Sequence, residues 1–264
     1  MFRFWATLTL DRYIHIGFLH RPLAIPYIDP DEIIPAHDDE WDKGELTVNP
    51  LLVMSIDAQT AVSPYARLCQ AAHLLGRVCQ HVNEHQNPSD PQFHFQEAYS
   101  IERAVRALLS MLQQEAVDTS PERRHHLFAS IGLCCSALHA FYEMHSCIEQ
   151  HGTPAGSNTG HNTGSRIELQ AIAIDGYKRT ADIVRNLTVE VHRSIDVHGV
   201  GAVSPFIAHS LYQAAGIYAW RAAETGNETY VAYLDQIRQL LKVIQLKWQV
   251  AGESGLQSRS SGDS

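Results

Sequence analysis

Three times along the chain a serine is followed at once by a proline, at Ser63-Pro64, Ser120-Pro121 and Ser204-Pro205. Each pair stands before a stretch whose apolar residues recur every three or four positions. A serine oxygen can accept one of the unpaired N–H groups that open a helix, and proline at the first helical position has no N–H to lose. After Ser63 the apolar positions Leu68, Ala71, Leu75, Val78 and Val82 keep the helical period; residues 95–117 do so through Ile101, Val105, Leu108, Leu109 and Leu112. Residues 121–149 carry Leu127, Ile131, Cys134, Leu138, Phe141 and Met144 and read as a helix with one apolar face. The pattern resumes over 166–195 and 205–223, and Asn227 is placed to cap a last helix carrying Tyr230, Tyr233, Leu234, Ile237, Leu241, Ile244 and Trp248. No useful run of β-alternation breaks the series. The expected fold class is all-α, an irregular multi-helix domain.

The start of the chain departs from this rhythm. Residues 2–16 read as a helix with Trp5, Leu8 and Arg12 at helical spacing, and it lacks a capping residue, so it reads as opening in mid-course. Prolines 22, 26, 30, 35 and 50 then forbid a long helix and bias their preceding residues toward extended backbone, giving a long Pro-rich loop after the first helix. The loop carries Tyr27, Trp41 and several isoleucines that need burial, so it is expected to be pinned to the core. Asp11, Arg12 and Arg21 are the charged groups expected to pin it, through ion pairs or carbonyl hydrogen bonds. Residues 150–165, rich in Gly, Ser and Asn, read as a flexible connector, and residues 252–264 as a disordered tail.

At 264 residues the chain can bury a sizeable core. A net charge of −9 argues against a surface built to hold nucleic-acid backbones, and the short mixed-charge segment Glu122-Arg123-Arg124-His125-His126 reads as a solvated face. Five cysteines (69, 79, 134, 135 and 147) form an odd set without framework spacing and suit a reducing compartment. The run after Met1 is broken by Asp11-Arg12 and lacks a cleavage site, so no signal peptide is read and the sequons at Asn186 and Asn227 are expected to be idle. No apolar run is expected to span a bilayer.

Chemistry-bearing motifs are sparse. His81 and His85 stand one helical turn apart, but among Gln80, Asn83 and Glu84 they read as a solvated helix end rather than a zinc pair. Neither HExxH nor C-x2-C occurs, nor G-x-S-x-G, nor a Gly-rich phosphate loop. Asp38-Asp39-Glu40-Trp41-Asp42 has the DDxxD form with which terpene cyclases hold magnesium on a diphosphate, yet it lies in the Pro-rich loop and has no second motif downstream. It reads as an acidic surface turn. No catalytic, cofactor-binding or metal-ligating residue is assigned, and no enzyme is expected.

Trp5, Leu10-Asp11-Arg12, Arg21-Pro22-Leu23-Ala24-Ile25 and the Asp31 to Asp42 segment closing in Asp38-Asp39-Glu40-Trp41-Asp42 together resemble the signature of the fungal-specific transcription factor domain, the middle homology region of binuclear zinc-cluster regulators. The resemblance continues in Ala71-Ala72-His73-Leu74-Leu75-Gly76-Arg77-Val78, in Ser204-Pro205-Phe206 with His209–Ala215, and in Trp248-Gln249-Val250-Ala251-Gly252. It implies that residues 1–251 are the C-terminal part of a regulatory domain controlling RNA polymerase II transcription of a metabolic or secondary-metabolite pathway in the nucleus. Its implied partners are the transcription machinery, related transcription factors and a small-molecule effector. The family's zinc cluster, basic linker and dimerising heptads are missing, so no cofactor and no DNA binding are expected of this chain alone. It reads as a truncated product or a derived relative. The alternatives from other classes are an all-α magnesium-dependent diphosphate enzyme using Asp38, Asp39 and Asp42, and an inert interaction fragment.

Overall fold

Ser63 and Asn227 do what their chemistry dictates. The Ala66 N–H donates to Ser63 Oγ at 3.0 Å, opening α2 (Pro64–Glu84), and the Thr229 N–H donates to Asn227 Oδ1 at 2.9 Å, opening α7 (Glu228–Gln245). The computed structural model describes residues 2–19, 21–25, 28–29, 31–36, 43–46, 48–52, 62–84, 91–146 and 160–248. Among these the remaining helices are α1 (Phe2–His15), α3 (Pro91–Asp118), α4 (Phe128–Ser146), α5 (Gly160–His198) and α6 (Ala208–Thr225). The described residues form no strand, only an isolated antiparallel bridge between Ile33 and Leu51. The fold is all-α.

The boundaries differ from the expected ones in three informative places. Ser204-Pro205 opens a short 3-10 turn, Pro205–Ile207, before α6 continues it, with the Phe206 N–H donating to Ser204 Oγ at 3.3 Å. Ser120-Pro121 opens no α-helix at all. It heads a turn and a 3-10 segment, Arg124–Leu127, in which the Arg124 guanidinium donates back to the carbonyl of Thr119 at 3.1 Å, just past the end of α3. Arg124 also faces Glu190 on α5 at 3.8 Å with both side chains about a third exposed, while Glu122, Arg123 and His126 are exposed, so most of this segment is a solvated face. Helix α5 starts at Gly160, inside the stretch expected to be connector. Extending an established helix costs only the poor propensity of each added residue, without a new nucleation. Its neighbour α6 ends at Gly226, whose left-handed φ of 64° lets its N–H reach the Ala222 carbonyl.

Helix α4 is the axis of the core. The sequence suggested one apolar face, whereas 16 of its 19 residues are buried, and α2, α3, α5 and α6 pack around it. A helix enclosed on every side is apolar on every side. Within Arg124–Ser146 an 18-residue window has a mean hydropathy of 1.3, so among the described residues this one helix is long and apolar enough by composition to cross a membrane, contrary to expectation. Burial of 83% of that window inside the chain accounts for its apolarity. Cys134 and Cys135 lie here as free thiols, as Cys69 and Cys79 do in α2, and burial raises the pKa of all four. Cys147 and the tail expected to be disordered lie outside the described residues.

The polar residues of α4 make the core sensitive to acid. His139 is fully buried with no hydrogen-bond partner on either ring nitrogen, and burial, reinforced by His209 nearby, pushes its pKa down to about 3. Unfolded, the same imidazole protonates near 6.5. Between these values the unfolded chain binds more protons, so stability is complete above pH 6.5 and declines as the pH falls toward 3. At pH 5 His139 alone should remove about 2 kcal/mol. His209, pushed down to about 4 by burial, acts in the same direction. Urea unfolding at pH 7 and pH 5 should show this loss, and His139→Leu should lose about 2 kcal/mol less than wild type between the two pH values. An unchanged pH slope in that variant would rule out His139 as the source.

Candidate functional site

Two constellations stand out, one structural in character and one rich in ligating atoms. The first is the pinning of the Pro-rich loop to α1. Trp5 is fully buried, and its indole N–H donates to the carbonyl of Ile33 at 2.8 Å. Two turns on, Arg12 is also buried; it pairs with Asp11 at 2.7 Å and donates through its other terminal nitrogen to the carbonyl of Ile25. Burial lowers the Arg12 pKa, and the carboxylate of Asp11 opposes that effect. The guanidinium lies so close to α2 that a Cβ on Gly76 would stand 2.5 Å from Arg12 Nε. Glycine at 76 is therefore what lets the arginine pass between the two helices.

The same framework reaches the C-terminal part of the chain. The Tyr13 hydroxyl donates to the carbonyl of Pro205 at 2.8 Å, and its ring meets Phe206 edge-on at 5.0 Å. Burial pushes this phenol up to about 12. The Trp248 indole N–H in turn donates to the carbonyl of Val203 at 3.1 Å. Asp11 and Arg12 thus pin the loop as expected, but Arg21 does not join them. Its guanidinium lies over the ring of Phe18 at 4.8 Å, and its carbonyl accepts from the Asn83 side chain. Tyr27, Trp41 and Asp38-Asp39-Glu40-Trp41-Asp42 lie outside the described residues, so the geometry of the acidic segment does not enter the site.

The second constellation corrects the sequence reading of His81. It is not part of a solvated end: the last turn of α2 buries it, and its ring stacks on His94 of α3 with centroids 4.1 Å apart and planes 11° from parallel. Its Nδ1 lies 3.3 Å from Glu97 Oε2, and its Nε2 lies 3.2 Å from His145 Nε2, at the end of α4. A carboxylate only accepts, so the contact with Glu97 requires a proton on Nδ1; for a neutral His81, the His145 Nε2–H then donates to His81 Nε2. His85, the expected companion, lies outside the described residues. His94, Glu97 and His145 were missed because none is near His81 in sequence. The only local signal was the spacing of His94 and Glu97 on one face of α3.

A cleft of about 460 Å³ lies elsewhere, between the start of α2 and the turn after α3, lined among others by Glu115, Asp118, Arg123 and His126. Arg67, buried in α2, reaches Glu115 at its edge with a forked pair of hydrogen bonds. Comparison with known proteins finds no matching family model, no matching curated protein and no matching solved structure.

Proposed function

We propose that the chain is the helical regulatory part of a fungal zinc-cluster transcription factor, acting in the nucleus through protein partners and a small-molecule effector. One observation carries the reading. Scattered residues on which the resemblance rests meet in one framework: Trp5 and Arg12 hold Ile33 and Ile25 of the Pro-rich loop, Gly76 admits Arg12, and Pro205 and Phe206 are held by Tyr13, which adjoins Arg12 without belonging to the signature. A signature spread over a chain in this way is what a shared scaffold requires, since each piece fixes the position of another. The 460 Å³ cleft beside Glu115 and Arg123 offers both signs of charge to a polar effector.

Fusing residues 1–264 to an unrelated DNA-binding domain should change expression of a reporter carrying the matching operator in fungal cells. A fusion that accumulates normally yet leaves the reporter unchanged across carbon, nitrogen and stress conditions would count against the proposal.

A further inference from the structure

We propose that His81, His94 and Glu97 bind one divalent transition-metal ion, Zn²⁺ by the chemistry of the donors, and that His145 orients His81 from behind. The inference rests on the meeting of three helices and is independent of the transcriptional reading. One ligand atom from each of the three residues lies within 4.8 Å of the others. His81 Nδ1 and Glu97 Oε2 are already 3.3 Å apart, which matches about 3.3 Å for the edge of a tetrahedron with metal–ligand bonds of about 2.0 Å. Completing the set requires His94 to unstack from His81 and bring its nitrogen inward by at most about 1.5 Å, within reach of a rotation about its side-chain bonds.

The donor types select the ion. Two imidazoles and one carboxylate form a nitrogen-rich set suited to zinc and its neighbours, whereas magnesium and calcium favour shells of oxygen. Three protein ligands also leave a fourth tetrahedral position for water or another small ligand. His81 and His94 are buried, while the Glu97 side chain keeps 25% of its surface exposed, so entry is from the Glu97 side.

The contact with His145 is what an outer ligand would provide. When a metal takes His81 Nδ1, the remaining ring proton sits on Nε2 and donates to His145 Nε2, which lies 3.2 Å away. Binding therefore exchanges the donor and acceptor roles of that pair, with the His145 proton moving to its Nδ1. The ion would join the end of α2 to the start of α3, and through His145 to the end of α4. Those helices otherwise meet here through stacked and tilted rings, with Phe141 4.5 Å from His145.

The test uses the purified full chain, stripped with a chelator and titrated with Zn²⁺ alone, then with Co²⁺ alone as a spectroscopic probe. One ion per chain should bind, the melting temperature should rise with Zn²⁺, and Co²⁺ should develop the visible absorption of a tetrahedral site. Glu97→Gln and His94→Ala should each weaken Zn²⁺ binding by more than about 100-fold, and His145→Gln by about 10–100-fold. Glu97 lies at the partly exposed edge, so E97Q should retain the wild-type circular dichroism and remains informative if H94A fails to fold. A double His126→Ala/His198→Ala variant, altering the separate ring cluster around His125, should bind as wild type does. The proposal is overturned if the folded wild-type chain shows no metal-dependent rise in melting temperature and no cobalt absorption, or if E97Q binds Zn²⁺ as tightly as wild type.

Discussion

Trp5→Ala is expected to cost about 3–5 kcal/mol, the range for removing a large buried aromatic side chain, and to lower the melting temperature by roughly 6–20 °C for a chain of this size. The loss has two separable parts. Most comes from the cavity left by a fully buried indole between α1 and its surroundings. A smaller part comes from the carbonyl of Ile33, which loses its donor. Trp5→Phe keeps much of the packing and removes the donor, so it isolates the second part at about 1 kcal/mol. In W5A, protease cleavage between residues 17 and 50 should accelerate before the rest of the chain is attacked. If W5A costs less than about 1 kcal/mol, α1 is not what holds the loop.

Gly176→Ala should be almost as damaging, despite being a substitution that ordinarily favours a helix by about 1 kcal/mol. Alanine's Cβ would stand 2.3 Å from Tyr142 Cζ and within 2.7 Å of both neighbouring ring carbons. The ring has little room to retreat: Tyr142 is buried in α4, and its hydroxyl donates to Glu102 on α3 at 2.8 Å. Moving it sacrifices a buried hydrogen bond to a carboxylate, worth about 1.5–3 kcal/mol, in addition to about 1–3 kcal/mol for overpacking. After the helical gain, a net loss of about 3 kcal/mol is expected in urea unfolding. Adding Tyr142→Leu should remove the steric part, so the double variant should be more stable than the sum of the two singles implies. A neutral or stabilising G176A would mean that α4 and α5 do not approach as closely as this contact requires.

The elements legible in the sequence were those fixed by neighbouring residues. Ser63-Pro64 and Asn227 cap their helices through groups two or three positions away, so their effect could be read without knowing the fold. Helix α3 was read from its apolar period alone, and it begins at Pro91, four residues earlier than that period indicated. Helix α4 was half legible. The period through Leu127, Ile131, Cys134, Leu138 and Phe141 was real, but Ser136 and His139, which lie off that face, disguised the rest of the helix as a solvent face. Ser136 and His139 are buried because α4 is enclosed by neighbouring helices, a property of topology that no local window contains.

The two constellations divide along the same line. Arg12 could be singled out because it follows Asp11 directly and precedes the Pro-rich loop, although its passage beside Gly76 could not. Arg21, equally basic and equally near, went instead to the ring of Phe18. His81 was misjudged because Gln80, Asn83 and Glu84 flank it, while the residues that enclose it come from two other helices. Polarity of sequence neighbours reports the exposure of a helix face only when that face has no partner.

The enclosure of α4 also has a consequence for synthesis. The most apolar helix of the chain is complete at Ser146, whereas α5 and α6, which cover much of it, are complete only at His198 and Thr225. At about 5–20 residues per second, translation from 146 to 225 takes roughly 4–16 s. During that interval the nascent chain presents an unsatisfied apolar helix to whatever is nearby. Its yield in cells should therefore depend more on elongation rate and on chaperones that shield nascent chains than the stability of the finished molecule suggests.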